Sequence, residues 1–275
     1  MEQSFVTYKS FRVGYRRSGR GSRVLVCFHG YGENAASFDF LSRHAGDECL
    51  FLAIDLPFHG QTSWEKGLTL YPEDLASIIQ LLFERESIPS HEPGFRYTLM
   101  GYSLGGRICL ALYQLNPGVI DKLLLLAPDG LKVNFWYWLA TQTTAGNRFF
   151  AFTMKKPHWF LGLLKGMNRL SLINSSIFKF VKYYIGDPQV RTDLYNRWTA
   201  LRKFKPDLSL IKKQISAQKT QVRLLYGLHD RIIKASTGKK FISGLEPLSQ
   251  LQEIHSGHMV LHEKHVKEIL PALLH

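Results

Sequence analysis

At 275 residues, with 45% hydrophobic and 21% charged side chains and no low-complexity tract, the chain can bury a large core in one domain or two. No stretch approaches the roughly 18 uninterrupted apolar residues of a membrane-crossing helix, and MEQSFVTYKSFRVGYRRSG at the amino terminus alternates instead of presenting a signal-peptide core. The formal charge is +13, yet between Leu131 and Ile215 fifteen Lys and Arg face only three Asp, so nearly all the excess sits in one middle segment.

The first 20 residues read as two strands joined by a turn, SFVTYKSF and RVGYRRSG. RVLVCF (23–28), LFLAID (50–55), RYTLM (96–100), DKLLLLAP (121–128), QVRLLYG (221–227) and SQLQEI (249–254) follow as short runs that stop at glycine, proline or polar residues. Continuous apolar runs of this length suit strands buried on both faces of a parallel sheet. Helices are predicted between them: one capped by Asn34, one opened by Pro72 with Glu73 and Asp74 in its first turn, one over Leu104–Leu115, and one over His258–Leu274. The alternation predicts an open, doubly wound α/β sheet, in which ligands bind beyond the carboxyl ends of the strands.

From Leu131 to about Lys213 the alternation stops. This segment lacks strand-like runs, is rich in aromatic and basic residues, and reads as a set of short helices inserted between two core strands. The expected organisation is therefore a core of residues 1–130 and 214–275 with a helical cap over 131–213. Cys27, Cys49 and Cys109 all lie in apolar runs, which fits reduced thiols in a cytoplasmic protein better than disulfides.

The chemistry is read from the loops after the strands. Gly101-Tyr102-Ser103-Leu104-Gly105 has the G-x-S-x-G pattern, in which glycines let a serine stand clear on a strained strand-to-helix turn. A serine hydroxyl needs a base, and the base an orienting carboxylate. Asp230 in GLHDRII and His258 in HSGHMVLHE each follow a later strand. His255 competes with His258 but ends its strand directly, without a preceding glycine. Asp129 competes with Asp230 but sits in PDG, where a turn former is expected. His262 and His265 fall inside the predicted last helix. Two backbone donors for a developing oxyanion are expected at Leu104, after the serine, and at Tyr31 in the HGYGEN loop.

These pieces (FHGYGEN, DLPFHGQTS, GYSLGGR, GLHDRII and SGHMVLHEK) resemble the α/β-hydrolase superfamily, in the cap-bearing branch whose insertion follows the sixth strand. The resemblance implies Ser103 as nucleophile, Asp230 as acid and His258 as base, with no metal and no cofactor. Phe58 departs from it, standing where the DLP-x-HG-x-S loop usually has glycine, and is a candidate for narrowing the site. GYSLGGR is also similar to the elbow of the 2-succinyl-6-hydroxy-2,4-cyclohexadiene-1-carboxylate synthases. There an arginine one turn past the serine helps hold an anionic substrate, which makes Arg107 a candidate substrate-binding residue.

Three functions follow as expectations: a serine hydrolase for a carboxylic ester or thioester, a lyase of that synthase type, or a ligand-binding protein on the same scaffold. The basic aromatic stretches FWYWLA, FFAFTMKKPHWFLGLLKG and IFKFVKYY fit a cap packed on the core with its lysines in solvent. The alternative expectation is that these helices contact an anionic membrane surface. No nucleic-acid motif is found.

Overall fold

The structure, a computed structural model, describes residues 2–65, 69–132, 135–170, 172 and 175–275. The chain divides into two compact units, Met1–Trp64 with Tyr71–Lys132 and Phe204–His275, and Glu65–Leu70 with Val133–Lys203.

The first unit is built on an eight-stranded sheet: β1 (Glu2–Tyr8), β2 (Phe11–Gly19), β3 (Arg23–Phe28), β4 (Cys49–Ile54), β5 (Tyr97–Tyr102), β6 (Ile120–Leu126), β7 (Gln221–Gly227) and β8 (Ser249–Ile254). Their order is β1-β2-β4-β3-β5-β6-β7-β8. Strand β2 pairs antiparallel with both β1 and β4, and every other neighbouring pair is parallel. All six residues of β4 and all six of β5 are buried, as strands covered on both faces require. The first turn falls at Lys9-Ser10, slightly earlier than the sequence suggested, because Tyr8 pairs directly with Phe11.

Helices α1 (Asp39–Ala45), α2 (Pro72–Arg85) and α3 (Leu104–Leu115) form where predicted. Asn34 Oδ1 accepts from Ala36 N–H at 2.9 Å, but it caps a short 3-10 turn that leads into α1. The last helix differs more: it spans only Val266–Leu274, preceded by a 3-10 turn at Glu263–His265. His258 therefore lies in an open loop. His262 caps the 3-10 turn and His265 ends it, so neither is inside the helix.

The carboxyl end of that helix is met by cations. Arg23 Nη1 donates to Leu274 O at 2.6 Å and Lys122 Nζ to Leu273 O at 3.0 Å. Cations at a helix carboxyl terminus oppose its dipole and satisfy carbonyls left without intrahelical donors. Lys122 is buried, and that burial together with neighbouring arginines draws its pKa below the usual lysine value.

In the second unit the helices run Phe135–Gln142 (α4), Thr144–Lys155 (α5), His158–Arg169 (α6), Ser175–Gly186 (α7) and Pro188–Ala200 (α8). Thr143 caps α5 and Asp187 caps α8, each through a side-chain oxygen. Trp198 packs edge-on against Tyr137 and lies beside Phe150, with ring centroids at 5.1 and 5.6 Å. Leu208–Gln218 (α9), capped by Asp207, falls in the first unit, as does Ala235–Ile242 (α10), a mostly polar helix without a clear sequence signal. No helix among the described residues is long and apolar enough to cross a membrane.

Asp55, buried just past β4, ties two loops together. Its Oδ1 accepts from Ala35 N–H at 2.7 Å and its Oδ2 from Gln61 N–H at 2.9 Å. Asp55→Ala strands both donors and is expected to lower stability by about 2–4 kcal/mol. Urea unfolding checks this, with Asp55→Asn, which keeps one acceptor, recovering part of the loss.

Candidate functional site

The sheet order reverses at β3, whose neighbours are β4 and β5. The chain leaves β3 toward one side and later returns on the other, so the loops after β3 and β5 diverge above the sheet and open a crevice between them. Ser103 lies beyond β5 in this crevice, with the HGYGEN loop beyond β3.

Ser103 has φ 49° and ψ −112°, a region costly for an L-residue. Three backbone bonds hold it there. Ser103 N–H donates to Leu126 O at 2.9 Å, and its own carbonyl accepts from Gly106 N–H at 2.9 Å and Asp129 N–H at 2.8 Å. The surrounding glycines are needed for closeness: a Cβ on Gly105 would lie 1.9 Å from Phe28 O, and one on Gly101 2.4 Å from Gly105 O. With only hydrogen at those positions, α3 can press onto β3 and β5.

The side chain of Ser103 meets two residues from distant loops. Its Oγ lies 3.0 Å from His258 Nε2, and His258 Nδ1 lies 2.7 Å from Asp230 Oδ2. A carboxylate only accepts, so Nδ1 carries the imidazole proton and Nε2 is free to accept from the serine hydroxyl. The Asp230 side chain is fully buried, and its other oxygen accepts from Ile232 N–H at 2.7 Å and Ile233 N–H at 2.9 Å. Tyr102 Oη donates to the His258 carbonyl at 3.1 Å, and its ring lies 5.5 Å from the imidazole. Such a chain can draw the proton from a serine as it attacks an electrophile.

Leu104 is the first residue of α3, so its N–H has no intrahelical acceptor. Tyr31 lies in the turn after β3, edge-on to His59 with ring centroids at 5.9 Å. The turn is set by His29, whose Nδ1 donates to Gly30 O at 2.8 Å while Nε2 accepts from Leu56 N–H at 3.1 Å. Phe58 has φ 61°, a conformation glycine adopts without penalty, which accounts for the residue type usual in such loops.

Arg107 takes a different place. It is buried, and its Nη2 pairs with Asp129 Oδ2 at 3.0 Å. Arg107 and Asp129 are thus brought together with each other, while Ser103, His258 and Asp230 form the separate chain. His255 is exposed beside His229, with ring centroids 6.1 Å apart. Among the described residues no group of three or more His, Cys, Asp or Glu is placed to hold a metal ion. A cavity of about 160 Å³ lies elsewhere, between β7, β8 and the last helix, lined by Arg223, Gln250, Gln252 and Pro271.

Glu33 was not singled out by sequence reasoning. Its Oε2 accepts from Gly30 N–H at 3.3 Å, bracing the turn that carries Tyr31. The signal was present: a carboxylate three residues on can reach back to a turn N–H, as in a capping box. Burial raises the Glu33 pKa, only partly offset by hydrogen bonds from Gly30 and Ser37 and by the nearby His258. With its folded-state pKa above the unfolded one, ionised Glu33 opposes folding at neutral pH, and the penalty fades as pH falls through the raised pKa. Glu33→Gln keeps the acceptor for Gly30 without the charge. Its Tm is expected to exceed that of the parent at neutral pH, with the gap closing as the parent's carboxyl protonates; thermal scans across acidic to neutral pH check this.

Comparison with known proteins gives a concordant picture. The family model for the alpha/beta hydrolase fold matches residues 23–265. An uncharacterized hydrolase of Bacillus subtilis, YugF, is 25% identical over 256 residues, spanning 91% of this chain and 88% of that protein. A thermophilic esterase from Thermogutta terrifontis superposes with a TM-score of 0.67 at 14% identity, covering 98% of this chain and 96% of the other. A structure from work on carboxylesterases of Nitrososphaera gargenis gives 0.65 at 17% identity, over 98% and 96%. At these identities the structural likeness is one of fold.

Proposed function

The chain belongs to the α/β-hydrolase fold family and is a hydrolase-like enzyme; from that premise we propose that it cleaves a carboxylic ester or thioester through Ser103, His258 and Asp230. The observation that carries this reading is the unbroken chain from Asp230 Oδ2 to His258 Nδ1 at 2.7 Å and from His258 Nε2 to Ser103 Oγ at 3.0 Å.

In this reading Ser103 Oγ attacks the acyl carbon as His258 Nε2 takes its proton. The carbonyl oxygen gains the negative charge and is held by the N–H groups of Leu104 and Tyr31, aided by the positive end of α3. The imidazolium, held by Asp230, returns the proton to the departing alcohol or thiol as the tetrahedral intermediate collapses to an acyl-enzyme. Water, deprotonated by the same imidazole, then attacks the acyl carbon and releases the acid and free Ser103. Asp230 suits the orienting role because the Ile232 and Ile233 amides fix its other oxygen. Its rival Asp129 is engaged with Arg107. That pair also favours ester cleavage over a lyase in which Arg107 holds an anionic substrate.

Hydrolysis of p-nitrophenyl esters of increasing acyl length tests the proposal. Ser103→Ala is expected to lower kcat at least ~10³-fold, and Asp230→Asn, which disturbs the histidine tautomer, by a comparable ~10³–10⁴-fold. Arg107→Lys should retain most of the activity. Ester turnover that survives Ser103→Ala at the parental rate would refute the assignment.

A further inference from the structure

Helices α5 and α6 and their link carry five of the second unit's basic residues together with an exposed aromatic surface. Phe149 and Phe152 on α5 are 59% and 48% exposed, and Trp159 and Leu163 on α6 are 39% and 53% exposed. Spacings of three and four residues put each pair on one helix face. The faces meet, because the Trp159 ring lies 5.4 Å from that of Phe149 and 6.5 Å from that of Phe152. The result is one apolar patch across two helices, larger in kind than the scattered single residues of an ordinary surface.

The charged residues of these two helices and their link are all basic. Between Thr144 and Arg169 the chain has Arg148, Lys155, Lys156, Lys165 and Arg169 and no acidic residue. All five are exposed, and none has a carboxylate partner among the described residues. Some exposed cations of the first unit are matched, as in Lys9–Asp74, Arg17–Glu86 and Arg43–Glu263. The side chains of Trp136, Ile177, Lys179 and Phe180, from the other basic aromatic stretches, lie outside the described residues.

We propose that the α5–α6 face docks on an anionic lipid bilayer, the aromatic and leucine side chains entering the headgroup–acyl boundary and the five cations meeting lipid phosphates and carboxylates. This inference does not depend on the chemistry of Ser103. Charge complementarity selects the occupant: a second copy would set five unmatched cations against five, and a nucleic acid would leave Leu163 without a stacking partner. An amphipathic face with a basic rim has the composition that binds at the interface without crossing it.

Co-sedimentation of the full chain with vesicles tests this directly. Binding is expected to vesicles in which about a third of the lipid is phosphatidylserine, to be weak on pure phosphatidylcholine, and to fall steeply near ~1 M salt. Lys155→Gln with Lys156→Gln removes two surface charges and should weaken partitioning roughly 30-fold. Trp159→Ser, shown to be folded by its unfolding midpoint, should weaken it as well. The proposal is overturned by no sedimentation with anionic vesicles at low salt, by binding indifferent to both variants, or by a dimer that Trp159→Ser dissociates, which would make the patch a self-contact. Duplex DNA that binds more tightly than the vesicles at the same salt would overturn it in favour of nucleic acid.

Discussion

Ser103 occupies backbone angles that cost an L-residue about 1–3 kcal/mol, and the centre of the first unit is arranged to hold it there. Its N–H and carbonyl are spoken for by Leu126, Gly106 and Asp129, so the turn cannot relax without losing backbone bonds. Gly105 lets the helix behind it rest against the carbonyl of Phe28. A strained residue persists when its surroundings over-determine it, and here they do so from two neighbouring strands and one helix. The consequence is a hydroxyl directed away from the sheet toward His258, with a helix amino terminus immediately behind it.

The parallel sheet supplies the rest of the geometry. Because β3, β5, β7 and β8 run the same way, their carboxyl ends open on one side, and residues 155 positions apart come within hydrogen-bonding distance. Asp230 follows β7 and His258 follows the adjacent β8, so these two hydrogen-bonded residues start from neighbouring strands. The turn after β3 comes from the other side of the order reversal, braced by Glu33, His29 and Asp55. Each group reaches the crevice from its own strand, and each is fixed by contacts from neighbouring loops.

Much of this was legible in the sequence, for a local reason. Buried parallel strands need unbroken apolar runs, and the loops after them open on one side, so Ser103, Asp230 and His258, the members of the hydrogen-bonded chain, could be picked out from position. Contacts between distant side chains leave no such trace. The pairing of Arg107 with Asp129, and the two amides gathered by Asp55, depend on where loops meet in space. The late start of the last helix has a similar origin: the loop that presents His258 continues through Val260, whose N–H bonds back to the His258 carbonyl. Periodicity alone carried the predicted helix through that loop.

The two units divide their chemistry. The first concentrates buried polar pairs around one strained serine, while the second carries exposed aromatics with a basic rim and few acids. In the proposed function the hydrogen-bonded chain of the first unit makes Ser103 nucleophilic. Treatment of the folded protein with a fluorophosphonate, followed by peptide mapping, measures that property directly. A single adduct on Ser103, formed rapidly in the parent protein and strongly slowed in His258→Ala, is the expected result; an unlabelled folded protein, or an adduct elsewhere with Ser103 untouched, would contradict it.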